Sequence, residues 1–249
     1  MAHHEHPLMA HVGPYRTHVG AVFIGERAVF RGHDIHQSLK DLSWMELCGL
    51  GVLGRPLPKA HAQMLESIWV LTSYPDGRIW NNRVAALAGS TRSTPNLAMS
   101  AAHAVSEASI FGRRIDHRAV VFFECIDQTM RAGASLEDAL ADYERTRGKL
   151  PGYGRPLAMH DERIIPTMNR AKALGVDGGR HVRRAFEIEQ TLMAQGRALR
   201  MNLGALAAAF GADFGFSPQE FTLILFASFG AGMQPCYLEG LSKPPGAVF

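Results

Sequence analysis

The chain is poor in cysteine: three in 249 residues (Cys48, Cys125 and Cys236), far apart and in apolar contexts. An odd number with no Cys-x-x-Cys pair excludes a disulfide framework and a zinc knuckle. Buried free thiols instead point to a reducing, cytoplasmic setting. An excess of one charge is missing too. The 26 Lys and Arg are nearly matched by 23 Asp and Glu, and no basic run exceeds Arg113-Arg114 or Arg183-Arg184. Gripping nucleic acid calls for a clustered basic face, so scattered arginines suit small anionic ligands better. No cationic segment followed by an apolar core opens the sequence, so no signal peptide is expected. There is no strand-borne Gly-x-Gly-x-x-Gly, no Walker loop and no Gly-x-Ser-x-Gly elbow. The longest uncharged stretch, Phe221 to Leu238, contains Gln234-Pro235 and two glycines, and reads as a core helix and its exit rather than a membrane span.

What is present is mostly helical signal. Val19 to Arg31 alternates like a small hairpin turning at Gly25-Glu26. Ser43-Trp44-Met45-Glu46, Ser135-Leu136-Glu137-Asp138 and Ser217-Pro218-Gln219-Glu220 each begin a helix with a capping residue and an acid at or near the third position. Amphipathic spacing recurs near 58–73, 94–110, 117–132, 161–175 and 180–197, and a small-residue helix is expected at 201–212. An all-α protein follows. Its small-residue helices near 94–104 and 201–212 suit close helix packing at a dimer surface. Five histidines (His3, His4, His6, His11 and His18) lie in residues 1–18 without regular spacing, so this segment reads as an arm and no metal site is expected. The run 151–156, with two prolines and two glycines, cannot be helix interior. It separates a large domain (19–156 and 200–249) from a small one (157–199).

The chemistry concentrates after residue 144. Arg145, Arg147 and Lys149 lead into Pro151-Gly152-Tyr153-Gly154-Arg155, and His160-Asp161-Glu162-Arg163 follows. Cations beside a glycine-rich backbone suit a phosphate or pyrophosphate. Arg163 near a helix start suits a carboxylate. A surface turn flanked by solvated arginines is the plainer alternative. Other candidates have local alternatives as well: Asp116 and His117 as a helix start, Asp161 as a helix cap with His160 just outside it, and Asp76 as part of a Pro-Asp-Gly turn. Asn81-Asn82-Arg83 opens a helix, which makes Arg83 a secondary carboxylate candidate. Trp44, Trp69, Trp80 and the methionines Met45, Met64, Met193 and Met201 read as core and interface.

His-Val-Gly-Ala-Val-Phe…Phe-Arg-Gly-His-Asp-Ile (18–35), Gly-Arg-Pro-Leu-Pro (54–58), Pro-Gly-Tyr-Gly-Arg-Pro…Asp-Glu-Arg (151–163), Met-Asn-Leu-Gly-Ala (201–205) and Tyr-Leu-Glu (237–239) fall in this order. In that order and over 18–243 the chain resembles the citrate synthase superfamily, and most of all its short stand-alone citryl-CoA lyase branch. The resemblance implies a large and a small helical domain with a cleft between them, and a homodimer. It also implies a coenzyme A thioester bound beside a di- or tricarboxylate, for Claisen-type condensation or its reverse. It carries CoA binding onto Arg147, Lys149, Pro151, Gly152, Tyr153 and Gly154, and carboxylate binding onto Arg163, with Asn202 beside it.

The catalytic carry-over is incomplete. The family's keto-acid histidine is Arg155 here, its base-supplying aspartate falls on Asn202-Leu203-Gly204 and is gone, and its late arginine corresponds to Phe229. Its central histidine-glycine-glycine is not recognisable in 111–117. Arg155 stays protonated and serves only as an electrostatic group. A base has to come from His117, Asp116, His160 or Asp161. Three functions therefore stand open: a CoA-thioester lyase or condensing enzyme with a divergent catalytic set, a non-catalytic CoA- and carboxylate-binding relative, or a dimeric helical scaffold. No nucleic-acid or membrane partner is expected.

Overall fold

The structure is a computed structural model and describes residues 17–108, 114–155 and 158–247. The four histidines His3, His4, His6 and His11, residues 111–113 of the 111–117 segment, and Pro156 lie outside the described residues. The chain divides into two compact units, Met1–Leu57 and Pro58–Phe249.

In the first unit β1 (Gly20–Phe23) and β2 (Arg27–Phe30) pair antiparallel, with Gly20 opposite Phe30 and Phe23 opposite Arg27. This is the expected hairpin. The short β3 (His33–Asp34) adds a third strand against Val29 and Phe30. Helix α1 (Trp44–Leu53) begins with a complete capping box: the Ser43 hydroxyl accepts from the Glu46 N–H, and the Glu46 carboxylate accepts from the Ser43 N–H.

The second unit is helical: α2 (Lys59–Thr72), α3 (Trp80–Ser90), α4 (Pro95–Ser106), α5 (Arg114–Arg131), α6 (Leu136–Arg147), α7 (Ile164–Leu174), α8 (Arg180–Ala194), α9 (Leu203–Asp213), α10 (Pro218–Leu225) and α11 (Gly230–Ser242). Ser135 and Ser217 cap α6 and α10 as their sequences imply. The long uncharged stretch is two helices rather than one with an exit. Residues 226–229 turn between α10 and α11, and Phe221, Ile224, Leu225, Met233, Cys236 and Tyr237 are buried.

Helices α3 and α11 approach closely because glycines stand at the crossing. A Cβ on Gly89 would meet the Tyr237 carbonyl, and one on Gly240 would meet the Ala86 carbonyl. The Ala-rich α9 is almost wholly buried and packs on α5 and α8. Its small side chains, expected at a dimer surface, serve packing inside this unit instead. Helix α4 does leave Leu97 exposed.

One polar cluster fixes the start of α8. The Asp213 carboxylate, at the end of α9, accepts from the His181 and Val182 N–H groups at 2.9 and 3.0 Å. His181 then bridges two carboxylates, with Nδ1 2.8 Å from Asp213 and Nε2 3.0 Å from Asp127 of α5. The first N–H groups of a helix lack intrahelical partners and carry partial positive charge. A carboxylate from another helix therefore caps α8, whose own cap residue, Gly179, offers no side chain.

Candidate active site

The 151–155 loop is a buried packing element. Gly152 has φ +85°, and a Cβ there would lie 2.7 Å from the Ala205 backbone, so only glycine lets the loop touch the first turn of α9. The contact is then locked by hydrogen bonds. Asn202 N–H donates to the Gly152 carbonyl (2.9 Å), Gly154 N–H to the Arg200 carbonyl (2.7 Å) and Asn202 Nδ2 to the Gly154 carbonyl (2.9 Å). Asn202 Oδ1 caps α9 by accepting from Gly204 N–H. The Tyr153 hydroxyl, deeply buried, donates to the Ala185 carbonyl of α8 at 2.9 Å. These glycines therefore admit α9, where the sequence suggested an approach to phosphate.

Asp161 is the electrostatic centre. Its carboxylate is wholly buried and takes two 2.7 Å bonds from Arg163, Nε to one oxygen and Nη2 to the other. It also accepts from the N–H of Leu203 at 2.8 Å. Asp161 thus caps α9 from across the chain, and the residue at the start of α7 is Arg163, so Asp161 is not the local cap of its own helix. Burial alone would raise this carboxyl. The Arg163 guanidinium and the two N–H bonds outweigh burial and hold it below the ordinary carboxylate range. An ionised acid so fully engaged is a poor proton acceptor, which removes Asp161 from the candidate bases.

Beside it lies a cavity of about 470 Å³. Arg155 and Arg163 line it together with Tyr74, Ile79, Trp80 and Phe229. Arg155 is held by the Glu162 carboxylate at 2.5 Å and by the His160 carbonyl at 3.0 Å. The other Glu162 oxygen accepts from the Tyr74 hydroxyl at 2.7 Å, and the Arg163 guanidinium lies 5.6 Å from the Tyr74 ring centre. Burial first, and then the bond to Glu162, push the Tyr74 phenol up to about 12. The bond from Tyr74, with the contact to Arg155, draws the Glu162 carboxyl down. The cavity edge therefore carries a protonated hydroxyl touching an ionised carboxylate. Two ties from the end of α2 place this wall: Trp69 Nε1 donates to the Ile224 carbonyl (3.1 Å) and Ser73 Oγ to the Ser228 carbonyl (2.6 Å).

The structure brings together only some of the sequence candidates. Arg155 and Arg163 meet at the cavity. His160 contributes its carbonyl to Arg155, and its side chain is exposed. Asn81 and Asn82 line the cavity, but their amides serve Ser106, Tyr74 and Asp76 within the unit, and Arg83 on the next position is exposed and does not line it. Asp116 and His117 stand on the first turn of α5 and do not line the cavity. Asp76 makes the turn: its carboxylate accepts from Arg78 N–H at 2.8 Å and pairs with the Arg78 side chain. Arg147 and Lys149 are exposed at the exit of α6. Among the described residues no group of three or more His, Cys, Asp and Glu side chains is placed to hold a metal ion. Tyr74 and Glu162 were missed, because both sit outside helices and strands, with no period to mark them.

The motif order, the helical architecture and this cavity invite comparison with solved structures. The chain superposes on citryl-CoA lyase from Hydrogenobacter thermophilus with a TM-score of 0.80, covering 94% of this chain and 90% of that one at 21% identity. The fold is that of citryl-CoA lyase. The citryl-CoA lyase fold also aligns with larger chains. Methanosaeta concilii ATP citrate lyase, solved with (3S)-citryl-CoA, gives a TM-score of 0.72 at 14% identity, over 94% of this chain and 40% of that one. Citrate synthase of the thermophilic archaeon Thermoplasma acidophilum, solved with carboxymethyl coenzyme A and oxaloacetate, gives 0.62 at 18% identity, over 83% and 56%. No family model and no curated protein sequence matches the chain.

Proposed function

We propose that this protein cleaves, or in reverse forms, a carbon–carbon bond in the coenzyme A thioester of a hydroxy acid, working as a homodimer in the cytoplasm. The observation that carries the reading is the convergence of Arg155, Arg163 and the Tyr74 hydroxyl on one cavity, within a citryl-CoA lyase fold. Arg163 keeps Nη1 free of hydrogen bonds to the described residues, since Asp161 takes Nε and Nη2, and offers it to a substrate carboxylate. Arg155 supplies positive charge where the carbonyl oxygen develops.

In the cleavage direction the substrate hydroxyl loses its proton as the bond to the thioester α-carbon breaks. The ketone is released, and the thioester enolate takes up a proton at carbon. Tyr74 and Glu162 carry that proton: the substrate proton passes to Tyr74 while the Tyr74 proton passes to Glu162, and the pair returns it to the enolate. Leu203 and Gly204, which stand where the family has its aspartate, move no proton, so general-base removal of a proton from acetyl-CoA lacks a factor of about 10²–10⁴. Citrate synthesis from acetyl-CoA and oxaloacetate is therefore expected to be slow, and cleavage of a preformed hydroxyacyl-CoA faster.

The test is mass spectrometry of products from hydroxyacyl-CoA thioesters incubated with the unmodified protein and Arg163→Ala. Absence of any carbon–carbon cleavage or condensation product defeats the reading. Robust citrate synthesis by the unmodified protein overturns the argument from Leu203 and Gly204, and full activity of Arg163→Ala removes Arg163 from the site. Arg147 and Lys149 are proposed to meet the CoA phosphates. Arg147→Glu and Lys149→Glu should each weaken CoA binding in calorimetry, with a loss that shrinks as salt rises. Unchanged affinity in both removes them from the site.

A further inference from the structure

Two Asp-x-Arg units meet at the cavity, and they are built alike. In Asp161-Glu162-Arg163 the Asp161 carboxylate accepts from the Arg163 N–H at 3.1 Å and from its Nε and Nη2 at 2.7 Å each. In Asp76-Gly77-Arg78 the Asp76 carboxylate accepts from the Arg78 N–H at 2.8 Å, from Nε at 3.1 Å and from Nη2 at 2.7 Å. Both arginines line the cavity, and in both Nη1 is free of hydrogen bonds to the described residues. A guanidinium pinned by its own neighbour has given up side-chain freedom before a ligand arrives, so an anion that meets its outer edge is bound at a smaller entropic cost. The units are also tied to each other. Tyr74 opens the turn that carries Asp76 and Arg78, and its hydroxyl donates to Glu162, the middle residue of the other unit. Asn82, buried in α3, fixes that turn by donating from Nδ2 to the Tyr74 carbonyl at 2.5 Å and to the Asp76 carbonyl at 3.0 Å. Burial sets the units apart. The side chains of Asp161 and Arg163 are 0% and 19% exposed, those of Asp76 and Arg78 39% and 90%. Arg163 is therefore the inner cation and Arg78 the outer one.

We infer that Arg78 holds a second substrate carboxylate, so that the acid half of the substrate is a 2-oxo dicarboxylate clamped between Arg163 and Arg78. The inference deepens the lyase reading and rests on it for the thioester half alone. Arg78 is then a specificity-determining residue. An acid with a methyl group in place of the outer carboxylate keeps its bond to Arg163 and loses only the one to Arg78. Asp76 is a positioning residue: it touches no ligand, and its ion pair aims the Arg78 edge into the cavity.

The experiment has two arms. Calorimetry in the presence of CoA compares oxaloacetate with 2-oxobutanoate, which differ by that one group, on the unmodified protein, Arg78→Ala and Asp76→Asn. A separate assay follows acetyl-CoA release from citryl-CoA. The unmodified protein should bind oxaloacetate at least about tenfold more tightly than 2-oxobutanoate, the lower end for a hydrogen bond between charged groups. Arg78→Ala should abolish that preference by weakening oxaloacetate alone, and Asp76→Asn should reduce it. Arg78 is exposed, so its truncation disturbs little packing, and 2-oxobutanoate binding reports on the rest of the site. No preference in the unmodified protein, an equal loss for both acids in Arg78→Ala, or no binding of either acid at millimolar concentration overturns the inference. A preference that Arg78→Ala abolishes, without acetyl-CoA release by the unmodified protein, supports Arg78 and defeats the lyase reading. Release of acetyl-CoA with a preference that survives Arg78→Ala does the reverse, so the two fail separately.

Discussion

Asp161→Ala is expected to lower folding stability by about 3–5 kcal/mol, the range for removing one partner of a buried ion pair. Three losses coincide. Arg163 is left as a largely buried cation without its bidentate partner, the Leu203 N–H loses its acceptor, and the Arg163 N–H loses its own. The measurement is urea unfolding at neutral pH. Asp161→Leu combined with Arg163→Met separates the causes, since it removes both charges, and it should be less damaging than Asp161→Ala alone. A double variant as unstable as the single one would mean that the helix cap, rather than the ion pair, carries the effect.

The same carboxylate gives a pH signature. Against burial, which alone would raise both, the Arg163 guanidinium at Asp161, and His181 with two N–H groups at Asp213, hold both folded-state carboxyls below the ordinary carboxylate range. A group depressed in this way contributes stability that is complete above its unfolded value and is lost as the pH falls through its folded value. The urea midpoint should be level above about pH 5 and fall below about pH 4. In Asp161→Ala the fall should be shallower, because one of the two groups has gone. An unchanged slope would contradict the assignment.

Gly152→Ala is the second large effect. The new methyl group would press on Ala205 of α9 while the backbone is held at φ +85°, so two penalties add. A cost of at least about 2 kcal/mol is expected from overpacking together with the unfavourable conformation. Activity should drop further than stability alone explains, because displacing the loop carries Arg155 away from Glu162 and the cavity. Gly175→Ala is a control that also sits at positive φ (+69°) but has nothing near its Cβ position. It should cost less stability and leave turnover intact. Equal losses in the two variants would show that backbone strain, and not the contact with α9, dominates.

Much of this was legible in the sequence. Ser43, Ser135 and Ser217 announced their helices, because a capping hydroxyl followed by an acid is a local device that needs no tertiary partner. The order of the short motifs pointed to the citrate synthase-like fold, and the resemblance assigned Arg155 and Arg163 to one site, Arg155 at the position of the keto-acid histidine and Arg163 as the carboxylate-binding arginine. What stayed hidden was long-range. Nothing local says that Asp161 caps a helix beginning at Leu203, or that the uncharged run past Phe221 breaks into two helices at 226–229 and so puts Phe229 on a cavity wall. The Pro-Gly-Tyr-Gly run was read as a phosphate cradle because its glycines permit close approach. The sequence could not say that the approaching group is Ala205.

Helix α9 joins two anchoring points that the chain treats alike. At its start Leu203 is held by Asp161, and at its end Asp213 holds the start of α8. Its 11 residues make a spacer about 16 Å long. One residue inserted anywhere between the anchors would advance the far end by about 1.5 Å and turn it by about 100°, swinging Asp213 away from His181 whatever the inserted side chain. The pitch of the α-helix therefore fixes the length of this segment, and related chains free to lengthen their turns should keep the spacing between these two carboxylate anchors unchanged.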